Sequence, residues 1–74
     1  MFIIDTPYVN ECFRRAISDG RHAIHVNDTT DLFNHFAKYY NFDKQSSHVV
    51  TNSGDVFELA IARDNRYVTL IHCA

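Results

Sequence analysis

Residues 48–73 decide the fold: His48-Val49-Val50-Thr51, Asn52-Ser53-Gly54-Asp55, Val56-Phe57-Glu58-Leu59-Ala60-Ile61-Ala62, Arg63-Asp64-Asn65-Arg66, Tyr67-Val68-Thr69-Leu70-Ile71-His72-Cys73. Three runs rich in β-branched, aromatic and alternating apolar residues are separated by two polar clusters. That is the pattern of a three-stranded antiparallel meander. Two-residue loops suit both turns: Ser53-Gly54, and Asp64-Asn65, whose side chains tolerate positive φ. Those loops imply a register. Asp64-Asn65 pairs Ile61 with Val68, Leu59 with Leu70, and Phe57 with His72. Ser53-Gly54 pairs Val50 with Phe57, and His48 with Leu59. One face then collects Val50, Phe57, Leu59, Ile61, Val68 and Leu70, with His48 and His72 at its margins, and this face is the expected core side.

The opposite face collects Val49, Thr51, Val56, Glu58, Ala60, Ala62, Tyr67, Thr69, Ile71 and Cys73. A solvated sheet face alternates to charged and polar groups, yet only Glu58 is charged here. Val49, Val56, Tyr67 and Ile71 are therefore the expected partner-binding residues, since exposed apolar patches mark interfaces. The competing reading is that β-branched and small residues stand there for strand propensity alone.

Upstream of the meander the period changes to that of helices. Over residues 7–19, Val9, Cys12, Phe13, Ala16 and Ile17 form one apolar stripe. Thr6 can cap this helix, Pro7 suits its first turn, and Gly20 stops it. A second helix is expected over about residues 29–40, capped by Asp28, with Asp31 in its first turn and Asn41 as a left-handed stop. Its buried stripe is Leu32, Phe33, Phe36, Ala37 and Tyr40. His22-Ala23-Ile24-His25-Val26 is compatible with a strand, as is Phe2-Ile3-Ile4. The expected fold is thus α+β, β-α-β-α-β-β-β, with two helices packed on one face of a mainly antiparallel sheet that ends in a three-stranded meander.

The whole chain bounds this picture. Seventy-four residues make one domain, 1–74, with material for one core. A domain this small buries only about 60% of the surface of its unfolded chain, so its stability margin is thin. Ten aromatic residues (four Tyr, six Phe) argue for a folded chain, and two Gly with one Pro exclude a linker-like or collagenous one. Seven Lys and Arg against nine Asp and Glu give a net charge of −2, which argues against a dedicated nucleic-acid binder. No segment approaches the roughly 20 apolar residues of a membrane span, and Met1 to Pro7 lacks the basic and hydrophobic regions of a signal peptide. A cytoplasmic location is the resulting expectation, in which Cys12 and Cys73 would be free thiols rather than a bridge closing sixty residues.

Five histidines invite a metal site, but the spacings do not build one. On a strand His22 and His25 point to opposite faces, and His48 and His72 lie on the outer strands of the meander, about 10 Å apart. No CxxC or HxxxH is present. Cys12 lies inside an apolar stripe and Cys73 is the penultimate residue, so neither suits a thiol nucleophile paired with a histidine. No glycine-rich phosphate loop exists. The chain is expected to hold no metal, no cofactor and no catalytic residue.

What remains is a small non-enzymatic protein-binding module, an inhibitor, adaptor or regulator that occludes or bridges a larger partner, with homodimerisation as a further expectation. A virus- or plasmid-encoded inhibitor of host machinery, such as an anti-CRISPR protein, has this size and self-sufficiency. The alternative is a nucleic-acid-associated protein using the hairpin tip between Arg63 and Arg66, with Tyr39, Tyr40, Phe42 and Tyr67 as stacking faces. Asp64, set between those arginines, weighs against it.

Overall fold

The computed structural model describes residues 4–73. Chain order is α1 (Thr6–Asp19), β1 (Arg21–His25), α2 (Thr29–Tyr39), β2 (Asn41–Asp43), β3 (His48–Val50), β4 (Val56–Ile61) and β5 (Tyr67–Cys73). The fold is α+β, and every strand pairing is antiparallel, in the order β1-β5-β4-β3-β2. The expected strand at Phe2-Ile3-Ile4 falls largely outside the described residues, and Ile4 packs against the core without joining a strand.

Local chemistry sets the element ends. Asp5, not Thr6, is the N-cap of α1: its backbone is extended and its carboxylate accepts the Tyr8 N–H at 2.9 Å. A carboxylate outdoes a threonine hydroxyl here because it adds a charge facing the positive end of the helix. Gly20, at φ +86°, closes α1 in the left-handed region that other residues avoid. Asp28 caps α2 by accepting the Thr30 N–H at 2.9 Å. The end of α2 departs from expectation. Tyr40 is extended at φ −135°, and Asn41 does not take a left-handed turn but continues straight into β2. A three-residue strand carries too short an alternation to register as sequence pattern.

The β4–β5 pairing is the expected one, Ile61 with Val68, Leu59 with Leu70 and Phe57 with His72. The β3–β4 pairing differs by one residue: Val49 faces Phe57, Val50 faces Val56 and His48 faces Glu58. The cause is the turn. Gly54 donates its N–H to the Thr51 carbonyl (2.9 Å) and sits at φ +89°, while Thr51 pairs back through its N–H to the Asp55 carbonyl (2.9 Å). The loop is therefore three residues, Asn52-Ser53-Gly54, a tight turn followed by a left-handed glycine. One extra loop residue turns every β3 side chain over. Val49 is consequently core, fully buried, and is not a surface residue. His48 and Val50 move to the outer face.

Both helices lie on the inner face. Val9, Cys12, Phe13 and Ala16 of α1, and Leu32 and Phe36 of α2, share a core with Ile24, Val49, Phe57, Leu59, Val68 and Leu70. Aromatic rings knit the layers: Phe13 stands 4.7 Å from Phe57, 5.9 Å from Phe36 and 5.1 Å edge-on from Tyr40. Phe42, on short β2, packs 5.3 Å from Phe33 and 5.7 Å from Phe36, which holds this edge strand against α2. Three expected core residues end up exposed, Ile17 and Ile61 at 42% and 43% and Ala37 on the rim of α2. Ile61 lies on the inner side of β4 but at the end of the strand, beyond its buried neighbour Leu59.

Candidate functional site

The side of the sheet away from α1 and α2 carries no described element. Pairing sets its rows. One runs Asn41, Val50, Val56, Cys73, and the next runs Asp43, His48, Glu58, Ile71, Arg21. Then come Ala60, Thr69 and Ala23, followed by Tyr67 beside His25. Val56, Tyr67 and Ile71 stand on this face, as the alternation requires, whereas Val49 does not and Val50 takes its place. Val50, Val56, Ile71 and Cys73 are half-buried by their neighbours, and Tyr67 is 46% exposed, its ring 5.0 Å from that of His25. At the β2 end an open concavity of about 390 Å³ is lined by Asn41, Phe42, Asp43, Ser46, His48 and Val50.

Charge on this face is gathered in the row of Asp43, His48, Glu58 and Arg21. Arg21 forms no ion pair with a described residue, and the Glu58 carboxylate faces only His48 Nε2, at 3.8 Å. At the β2 edge Asp43 is occupied by its own turn, accepting from the backbone of Gln45 (3.0 Å) and Ser46 (3.4 Å). Hydrogen bonding by Ser46 and Gln45 holds its carboxyl below the ordinary range.

The chemistry-bearing side chains are dispersed. His22 lies on the inner face opposite Leu70 and His25 on the outer face opposite Tyr67. The register shift separates His48, on the outer face, from His72, which stacks 5.2 Å from Phe57 on the inner one. The two therefore do not share a face. Among the described residues no three His, Cys, Asp or Glu side chains gather as metal ligands. Both cysteines are free thiols. Cys12 is buried, and desolvation raises its pKa, the environment of a structural rather than a reactive thiol.

One polar cluster was invisible to sequence spacing. Asp55 accepts from the Ser53 hydroxyl at 3.0 Å and faces His72 Nε2 at 3.5 Å, while its N–H donates to Thr51 Oγ1 at 3.2 Å. The carboxylate lies between serine and histidine, so the histidine is not paired with the serine hydroxyl as in an activated nucleophile, and the arrangement ties the β3–β4 loop to the end of β5. The basic side chains are likewise not pooled. Arg14 and Arg15 both turn to Glu11, at 2.6 and 3.4 Å, and at the hairpin tip Asp64 accepts the Arg66 backbone N–H at 2.9 Å. No helix among the described residues is long and apolar enough to cross a membrane.

No protein-family model, no curated protein and no solved structure matches this chain.

Proposed function

We propose that this chain is a small non-enzymatic protein-binding module, of inhibitor, adaptor or regulator type, whose binding surface is the outer face of the sheet. The observation that supports the reading is a five-stranded sheet with helices on one side only, whose other side bears Val50, Val56, Ile71 and Tyr67. Solvent-facing sheets favour polar groups at such positions, and a partner that buries them gains roughly 25 cal/mol for each Å² of apolar surface removed from water. Tyr67 is the expected anchor, joining a large apolar ring to a hydroxyl that can be satisfied at an interface.

Affinity capture from extract of the source cells, read by quantitative mass spectrometry, tests the reading. Three baits are compared: the natural chain, Val56→Asp on the outer face, and Arg14→Glu/Arg15→Glu on the exposed side of α1. A protein held by the natural chain and the α1 variant but lost by Val56→Asp supports it. A protein held by Val56→Asp and lost by the α1 variant places the binding surface on the helices and overturns it. Circular dichroism of each bait establishes that it is folded.

A further inference from the structure

We infer that the partner this face fits first is a second copy of the same chain, seated face to face about a two-fold axis running along β5; the inference rests on the outer face being the binding surface. The distribution of side chains around β5 carries it. On the outer face Ile71 has Arg21 of β1 as its neighbour on one side and Glu58 of β4 on the other. The two opposite charges thus flank one apolar residue at equal strand spacings of about 4.8 Å. In the next row Thr69 is flanked by two small residues, Ala23 and Ala60.

A half-turn about β5 exchanges the two sides of that strand. Arg21 of each copy then stands over Glu58 of the other, Ile71 meets its own counterpart at the centre, and Ala23 lies over Ala60. The surface is self-complementary in charge, as an isologous contact requires. Both charges are available for it. Arg21 has no ion pair with a described residue, and Glu58 faces only His48, an ion pair only when that histidine is protonated. Sheets packed face to face lie about 10 Å apart, a gap that an arginine and a glutamate reaching towards each other can span. The area suits a weak, specific dimer. Because β5 is the second of five strands, the two copies overlap through β1, β5 and β4 alone and leave β3 and β2 uncovered, a contact below the standard size of a specific interface.

A charge-swap series read by sedimentation velocity over the micromolar range tests the arrangement. The natural chain should show a concentration-dependent monomer–dimer equilibrium. Arg21→Glu and Glu58→Arg should each weaken it about tenfold or more, because each change creates two like-charge contacts by symmetry, and Arg21→Glu/Glu58→Arg should restore it to within about threefold. A short bis-maleimide should also join two natural chains through Cys73, which lies on the axis strand, and should fail with Cys73→Ser. A natural chain that stays monomeric throughout, or a double swap that fails to restore a dimer lost in both single variants, overturns the inference. So does a dimer indifferent to both reversals. A monomeric chain whose captured protein is still lost by Val56→Asp would leave the outer face as the binding surface and remove only the second copy as its occupant.

Discussion

His35 shows how much a single side chain in so small a domain depends on its surroundings. Its Nε2 is buried with no hydrogen-bond partner among the described residues, and its ring lies 4.6 Å from Tyr39 and 6.1 Å from Tyr40. Desolvation lowers its pKa below the ordinary 6.5; Asp5 opposes the shift and Lys38 adds to it. The folded chain therefore favours neutral His35, and the unfolded chain takes up the proton first. The stability this group contributes is present above pH 6.5 and is lost as pH falls through the lower folded value. His35→Gln, which cannot titrate, should flatten the melting profile across that window relative to the natural chain, and identical slopes would contradict this. A second residue-scale outcome concerns Phe57, fully buried among Phe13 and His72. Phe57→Ala should cost about 3–5 kcal/mol, while Glu58→Ala, one residue along on the open face, should cost little. Chemical denaturation measures both, and the reverse order would invert the faces of β4. The alternation made Phe57 legible in the sequence. It said nothing of His35, which stands outside the apolar stripe of α2 yet has its Nε2 buried beside Tyr39 and Tyr40.

At the scale of elements, β3 separates what pattern can and cannot fix. Val49 and Val50 are the same residue in adjacent positions, so either register brings a valine to the core and hydrophobicity alone leaves the choice open. Loop geometry decides, through Gly54 at φ +89° and the Gly54 N–H to Thr51 carbonyl bond. In β4 and β5 the large apolar residues Phe57, Leu59, Ile61, Val68 and Leu70 recur at every second position and match across the hairpin, which is why that pairing was legible. The consequence is measurable. Val49→Ala should destabilise by about 2 kcal/mol, from two lost methyl groups and the cavity they leave, whereas Val50→Ala should cost clearly less. Equal costs would contradict the three-residue loop. The helix ends divide in the same way. Asp28 was legible as a cap, but for α1 the sequence pointed to Thr6, one residue past the Asp5 that caps it. Asp5→Ala should cost about 1 kcal/mol and Thr6→Ala much less, compared by thermal melting.

The described residues form two layers, the helices α1 and α2 on one face of a five-stranded sheet. The chain places α1 before β1, crosses the inner face with α2 from the β1 edge to the β2 edge, and spends its remaining residues on four strands in meander. No described residue is left to cover the second face. The sequence made that face legible as an unusually apolar strand side, and made Val56, Tyr67 and Ile71 legible as its members. It missed Val50 because of the β3 turn, and missed the Arg21–Ile71–Glu58 row because β1 joins β5 from far along the chain, where no short-range pattern reports the partner. The central claim is that this face associates and does not serve as a core. It is tested most directly by measuring thermal stability and self-association together for Tyr67→Ala and Leu70→Ala. Tyr67 is 46% exposed on the outer face and Leu70 is fully buried beneath the helices. The account predicts that Tyr67→Ala melts close to the natural chain while losing about 2 kcal/mol or more of association, and that Leu70→Ala loses several kcal/mol of stability. A Tyr67→Ala chain that unfolds readily yet associates as before would contradict it.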